Sequence, residues 1–298
     1  MDEGERAGEG STEGWAGILF VHGVHKAKEL PRKEFKREVE RHLTGKETEA
    51  WEIIYFKLYK SQLPVVEKAL ETAGLMLGTE KSRGYCLEKI LFQLYYRFFL
   101  AAADQEWQED MLRKLEARYG DLPDAVRHLE TPSPNSSETK RFLGEIQPDI
   151  ILARCKSILN KRIYSQARVG TFVMHPGICP EYRNAHGCFW ALANRNTANV
   201  GMTLLKIDAD VDTGPVYGYY RYDYDEVAES HIVIQNRVVF DNLDSLATKF
   251  REILAGTAAM IDSQGRKSRA WGQPWLTRYL RWKRAAKCAR RRDAGPTP

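Results

Sequence analysis

QPDIILARCKSILNKRIYSQARVGTFVMHPG, residues 147–177, contains two short apolar runs joined by a polar segment. Each run is bounded by turn-forming residues, a pattern typical of buried β-strands. The runs predict strands at residues 150–153 and within residues 169–176. Strands that alternate with helices favour a mostly parallel sheet with helices on both faces. In such a sheet the loops that follow the strands hold the ligand, so we expect chemistry after Leu152 and after Met174.

The flanking sequence predicts further elements of an α/β fold. Apolar runs predict strands at residues 15–23 and 51–59, with a helix between them. Residues 64–129 read as a helical insert, in which Leu87, Leu91 and Leu94 belong to an apolar stripe of the kind that usually packs in a core. Ser136 or Ser137 is a suitable N-cap for the helix that precedes the first quoted strand. Residues 200–220 predict two strands around a polar loop, and residues 232–256 predict one amphipathic helix that ends at Gly256.

Composition limits the class of protein. The 298 residues carry a net charge of +5 and contain no apolar run long enough to cross a bilayer, so we expect a soluble protein without a transmembrane segment. Residues 1–14 lack the pattern of a signal peptide and predict a disordered tail. The five scattered cysteines include no C-x-x-C pair, which favours the cytoplasm and argues against a metal site.

The C-terminal residues 263–298 form a basic extension. Residues 266–292 contain eleven Lys or Arg and no acidic residue, interleaved with three tryptophans and a tyrosine. Such a stretch is compatible with contact to an anionic partner. It is also compatible with a solvated helix whose aromatic side chains pack on the domain.

Two residues have the setting of catalytic groups. His175 ends an apolar strand and precedes Pro176 and Gly177, which force a tight turn at the strand end. Asp212 lies in a second turn-rich loop, DADVDTGP. A carboxylate beside an imidazole fixes its tautomer and supports acid–base chemistry. Periodicity alone does not bring these two residues together.

The segment from His175 to Pro215 resembles the signature of the formyltransferases, which include methionyl-tRNA, glycinamide ribonucleotide and sugar N-formyltransferases. The matching residues are His175, Pro176, Pro180, Tyr182, Arg183, Trp190, Ala191, Asn194, Thr197, Val200, Gly201, Thr203, Asp208, Val211, Asp212, Thr213 and Gly214. The likeness covers roughly residues 130–225 and is looser elsewhere.

This resemblance implies a Rossmann-like sheet within a domain spanning residues 15–262, with 10-formyltetrahydrofolate as the formyl donor and no metal. It implies His175 and Asp212 as catalytic residues. It further implies that the donor contacts two loops, at Ala153, Arg154 and Cys155 and at Asp208, Ala209, Asp210 and Val211. Arg183, Asn184 and His186 are candidates for binding the acceptor, although Arg183 is equally compatible with a surface ion pair.

One position departs from the pattern. The family has an asparagine two residues before the histidine, where this sequence has Val173. An asparagine donates a hydrogen bond to a developing oxyanion, and loss of one such donor costs about 10²–10³ in rate. Three explanations stay open: a protonated His175 fills the role; another residue such as Asn184, His186, Ser157 or Arg154 does so; or the site binds ligand without turnover.

The sequence therefore predicts transfer of a formyl group from 10-formyltetrahydrofolate to the amine of a small acceptor, such as an amino sugar or a nucleotide-linked amine. A nucleic acid acceptor is not expected, because too few strand-like runs follow Tyr220 to build a second β-domain. The oligomeric state is open. The alternatives are hydrolysis of the same donor and a folate-binding protein without turnover.

Overall fold

The computed structural model describes residues 54–77, 82–121, 123–155 and 157–293. The chain divides into two units, residues 1–63 and residues 64–298. In the first unit the described residues 54–59 form no strand, so the strand predicted at 51–59 is wrong there. Tyr55 is 88% exposed, and no described strand pairs with this segment. The predicted tail, the strand at 15–23 and the helix after it lie outside the described residues.

Three helices form the segment predicted as a helical insert: α1 (Leu63–Met76), α2 (Arg83–Phe99) and α3 (Ala101–Tyr119). The apolar stripe predicted on α2 does not pack in a core, and that prediction is wrong. Leu87, Leu91 and Leu94 are between 41% and 48% exposed, whereas Phe92 is 3% exposed. The face that carries Phe92 turns inward because its ring packs against Phe189, His231 and Tyr279.

The quoted stretch folds as two parallel strands. Helix α4 (Ser137–Ile146) is capped by Ser136, whose hydroxyl accepts the Thr139 N–H at 3.1 Å, as predicted. Strand β1 (Ile150–Ala153) and the short helix α5 (Lys161–Tyr164) lead to strand β2 (Gly170–His175). The register sets Ala153 beside Val173. Both predicted strands are confirmed, and their carboxyl ends lie at one edge of the sheet.

The next elements complete the sheet and the loops around it. They are β3 (Arg183–Asn184), α6 (Gly187–Ala193), a 3₁₀ turn (Thr197–Asn199), β4 (Met202–Lys206) and β5 (Val216–Tyr220). The four-stranded sheet has the order β1-β2-β4-β5; β4 runs antiparallel to both its neighbours. The predicted pair of strands around residues 207–215 is confirmed, and so is the α/β class; of the three pairings in this described sheet, however, only β1–β2 is parallel.

Two helices cover one face of this sheet: α7 (His231–Phe240) and α8 (Leu243–Leu254). The single helix predicted for residues 232–256 is wrong, because the chain leaves the helical path at Asp241 and Asn242. The Asn242 side-chain amide donates to Val238 O at 2.8 Å and to Arg221 O at 3.0 Å, which competes with continuation of the helix. The core under these helices contains Phe172, Met202, Leu204, Tyr220, Val238, Val239, Leu246 and Ile253.

The C-terminal residues pack on the same unit through β6 (Ala270–Trp271) and α9 (Leu276–Asp293). Strand β6 pairs with β3 in parallel. Tyr279 and Trp282 on α9 are each 1% exposed, while Arg281 and Arg284 on the same helix are exposed. Of the two interpretations of this stretch, the packing of its aromatic side chains is therefore observed. None of the described helices combines the length and apolar character of a membrane span.

Candidate active site

His175 and Asp212 meet at the edge of the sheet. His175 is the last residue of β2 and is 4% exposed. Its Nδ1 lies 3.2 Å from Asp212 Oδ2, although 37 positions separate the two residues in the chain. Asp212 has a φ of +54°, a left-handed conformation that aspartate tolerates better than most residues. The sequence alone did not dictate this contact, and the fold supplies it.

The other ring nitrogen of His175 is also occupied. Its Nε2 lies 2.7 Å from the carbonyl oxygen of Tyr182, which is only able to accept a hydrogen bond. Gly177 permits this approach, because a Cβ at that position would lie 2.6 Å from Tyr182 O. An imidazole with acceptors at both nitrogens is held in one orientation. In this conformation it does not offer a free lone pair, so an electrostatic role suits it better than that of a base.

Asp212 is held by a second contact. Its Oδ2 also accepts the backbone N–H of Asn184 at 2.8 Å. In the same loop, Thr213 Oγ1 donates to the Asp208 carboxylate at 2.9 Å. Gly214 allows the loop to close, since a Cβ there would lie 1.8 Å from Lys206 O. The loop is therefore shaped by its own side chains and by close backbone packing.

A cleft of about 150 Å³ opens beside Asp212, whereas the buried His175 is not among the described residues that line it. Its lining includes six of the seven residues expected at the donor site, namely Ala153, Cys155, Asp208, Ala209, Asp210 and Val211. Asp212 lines it as well. Apolar walls come from Ile158, Leu159, Val173, Leu205 and Ile207, and further contacts from Ser157 and Tyr164. A small cavity with apolar walls and main-chain polar groups suits a flat heterocycle.

Val173 forms part of the apolar wall. Its side chain packs against Cys179, Leu205 and Val216 and also faces the cleft. Of the four residues considered as substitutes for the missing asparagine, Ser157 lines the same cleft. Arg154 does not, because its guanidinium donates to Asn236 Oδ1 at 2.6 Å. The structure therefore does not place Arg154 at the donor cleft.

The three expected acceptor residues lie in different surroundings. Arg183 donates to Val211 O and to Ser268 Oγ, each at 2.8 Å, and the exposed Asn184 donates to Trp271 O at 2.8 Å. His186 instead faces His231, with the ring centroids 6.1 Å apart. Burial lowers the pKa of His186 to about 4, and its Nδ1 has no hydrogen-bond partner among the described residues. His186 is not among the described residues that line the cleft.

The cysteines near the site are packing residues, as expected. Burial raises the pKa of the Cys179 thiol to about 12 and does the same for Cys188. Both are therefore protonated thiols and poor nucleophiles at neutral pH. Cys188 Sγ donates to Gly201 O at 2.8 Å, which satisfies it inside the core.

Sequence reasoning missed two parts of the site. One is the carbonyl of Tyr182, which no pattern of side chains reveals. The other is the segment around Trp271, which pairs with Arg183 and Asn184 from nearly ninety positions further along the chain. The tryptophans in the basic extension were the available signal, since they already indicated packing against the domain.

Part of the chain is similar to a known family. Residues 108–245 match the model of the formyl transferase family. The chain is 32% identical over 92 residues to a methionyl-tRNA formyltransferase of Thermotoga maritima, covering 30% of this chain and 29% of that protein. It is 27% identical over 97 residues to a GDP-perosamine N-formyltransferase of Brucella melitensis, covering 32% and 37% of the two chains. The chain thus matches about a third of the length of these relatives.

Solved structures overlap with the chain in part. A sugar N-formyltransferase from a Shewanella species gives a TM-score of 0.41 at 16% identity, covering 55% of this chain and 72% of that one. A formyltransferase of Anoxybacillus kamchatkensis, solved with tetrahydrofolate and a nucleotide sugar, gives 0.37 at 17% identity, covering 56% and 80%. Residues 108–245 are thus similar to the formyl transferase family, and the curated relatives resemble a comparable share of the chain.

Proposed function

We propose that the protein transfers a formyl group from 10-formyltetrahydrofolate to a primary amine of a small acceptor. The observation that carries this proposal is the contact between His175 Nδ1 and Asp212 Oδ2, the second of which lines the cleft. The match of residues 108–245 to the formyl transferase family supports the reaction class. Curated relatives that formylate an amino sugar support a nucleotide-linked amine as the acceptor.

The lining of the cleft fits the ring system of the donor. A cavity of about 150 Å³ holds one flat ring system and not a whole folate, which leaves the remainder of the cosubstrate outside. Residues 208–211 would lie at the ring edge, and Leu159 and Leu205 would contact its faces. When bound, the donor supplies the formyl carbon that the amine attacks.

The paired residues would act on charge at the reacting atoms. Attack by the amine forms the new C–N bond, places negative charge on the formyl oxygen and breaks the bond to the folate nitrogen, which leaves with a proton. An imidazole oriented by Asp212 would stabilise that charge electrostatically once its Nε2 leaves Tyr182 O and faces the substrate. Exchange of the Tyr182 contact for substrate would free Nε2 to donate or accept the transferred proton.

The test is to incubate the protein with 10-formyltetrahydrofolate, with and without a panel of amines, and to follow tetrahydrofolate formation. We expect amine-dependent turnover that His175→Ala and Asp212→Ala abolish, while His128→Ala, a change at an exposed histidine, leaves it intact. Full activity in either site variant would refute the assigned roles.

Val173 supports a second candidate function, which is binding of folate without turnover. Its side chain puts an apolar group on the wall where the family has a hydrogen-bond donor. Saturable folate binding without tetrahydrofolate formation across the whole amine panel would favour this candidate. Formate release without any amine would instead favour hydrolysis of the donor.

A further inference from the structure

Residues 266–272, here called the strap, lie along the loop that follows His175. The backbone N–H of Arg269 donates to Pro180 O, and the backbone N–H of Arg183 donates to Arg269 O, each at 3.0 Å. Strands β3 and β6 continue this pairing, with Arg183 beside Ala270 and Asn184 beside Trp271. The strap is therefore joined to the loop by main-chain hydrogen bonds, and it lies beyond the segment that matches the family.

Side chains fasten the strap at both ends. Arg266 donates to both carboxylate oxygens of Glu181, at 2.9 and 2.6 Å, and to the Tyr219 hydroxyl at 2.6 Å. These groups are partly buried, and a two-point arginine–carboxylate contact fixes orientation as well as distance. At the other end the Trp271 ring stacks on both Tyr182 and Trp190, with centroid distances of 5.5 and 4.9 Å.

Two residues of the loop connect the strap to Asp212. The guanidinium of Arg183 spans from Ser268 Oγ, through Nε, to Val211 O, through Nη1, with 2.8 Å at each contact. Asn184 uses its side-chain amide on Trp271 O and its backbone N–H on Asp212 Oδ2. A displacement of the strap would therefore move the carboxylate directly.

The same loop also holds the far side of the imidazole. Tyr182 O, which contacts His175 Nε2 at 2.7 Å, lies one residue before Arg183 and between the two strap contacts at Pro180 and Arg183. Both groups that fix the ring are thus attached to one loop, and the strap is the element packed against it.

We propose that the strap positions the His175–Asp212 pair and that Arg183 is the positioning residue that joins the two. The catalytic consequence rests on the proposed function, while the effect on the imidazole does not. Arg183 is suited to this role because a planar guanidinium bonds two acceptors at a fixed separation, which a lysine ammonium does not reproduce. Both contacts engage the Arg183 guanidinium with groups of the protein itself and not with a bound formyl acceptor.

The first test observes the imidazole itself. The full-length protein is labelled with ¹⁵N-histidine, and the His175 ring resonances are assigned by their loss in His175→Gln. We expect Arg183→Met, Arg183→Lys and Ser268→Ala to shift these resonances, and Ser268→Thr, which retains the hydroxyl, to restore them. The matched controls are Ser245→Ala and Arg284→Met, which remove exposed side chains of the same types elsewhere on the surface. Unchanged His175 resonances in both Arg183→Met and Ser268→Ala would overturn the proposal.

The second test measures formyl transfer by the same variants. Ser268→Ala removes one hydrogen bond to a charged group, so we expect kcat to fall about tenfold while the KM for the donor stays near its wild-type value. Arg183→Met removes both contacts, and we expect a fall of about 100-fold. If the KM for the donor or the acceptor rises while kcat is unchanged, Arg183 binds substrate and the proposal is overturned. The variants could shift the His175 resonances while the wild-type protein shows no transferase activity. That result would refute the proposed function and retain the positioning role.

Discussion

Acidification from pH 7.5 to pH 5 should destabilise the protein through two buried histidines. Burial lowers the pKa of His186 to about 4, with a smaller contribution from the nearby Lys89 ammonium. Burial also holds the pKa of His231 well below its ordinary value, and His231 is 1% exposed. Neither Nδ1 atom has a hydrogen-bond partner among the described residues, and for His186 the side chains of Gln235 and Gln273 offset the effect of burial on the pKa only in part.

The sign and the magnitude of this loss of stability follow from how many protons the folded and unfolded states bind. A histidine titrates near 6.5 in the unfolded chain, so between about pH 6.5 and 4 the unfolded state binds the proton that folded His186 refuses. The stabilisation is complete above pH 6.5 and is lost as the pH falls. At pH 5 the difference of about 1.5 units corresponds to about 2 kcal/mol for His186 alone. His231 adds a loss of the same sign.

Urea unfolding at the two pH values measures this loss, and His186→Gln isolates it. Glutamine keeps hydrogen-bonding groups but does not titrate, so we expect the variant to lose about 2 kcal/mol less than wild type between pH 7.5 and 5. Groups common to both proteins cancel in this difference, including Asp104, whose pKa is raised by burial and which acts in the opposite direction. The exposed His128→Gln serves as the control. Equal losses in wild type and His186→Gln would refute the reasoning.

Three further changes have defined outcomes. Val173→Asn puts a hydrogen-bond donor on the cleft wall, and we expect up to about a 100-fold gain in tetrahydrofolate formation under steady-state assay; an unchanged or lower rate would show that the missing donor is not limiting. Trp282→Ala empties a site that is 1% exposed and should cost about 3–5 kcal/mol in urea unfolding, a value that a merely solvated helix would not give. Gly214→Ala would place a Cβ 1.8 Å from Lys206 O and should lower stability by about 1–3 kcal/mol, seen as a lower Tm; an unchanged Tm would contradict the close packing described for that loop.

Local patterns predicted the elements whose causes are local. The strands at Ile150–Ala153 and Gly170–His175 followed from short apolar runs, and the Ser136 cap followed from the preference of serine for that position. The resemblance also pointed to the loops at Ala153 and at residues 208–212, which line the cleft; their role in donor binding stays a prediction.

The remaining features depend on contacts between distant residues. The outward stripe on α2 could not be distinguished from a core stripe, because periodicity indicates an amphipathic helix but not which neighbour it meets. The break at Asn242 depends on the carbonyl of Arg221, which lies in another element. The contact between Arg183 and Ser268 could not be predicted, because the two residues are 85 positions apart in the chain.

The strap follows His175 and Asp212 in the chain, which sets the order in which the candidate site is completed. The ribosome delivers His175 and Asp212 before residues 266–272, so the pair has no strap to hold it until those residues emerge. A version truncated at residue 245, where the family match ends, would retain both residues but lose the segment that fixes them. Deletion mapping of the candidate site should therefore include all residues through α9. A fragment that ends at residue 245, with the family match, lacks the strap and does not test the proposed site.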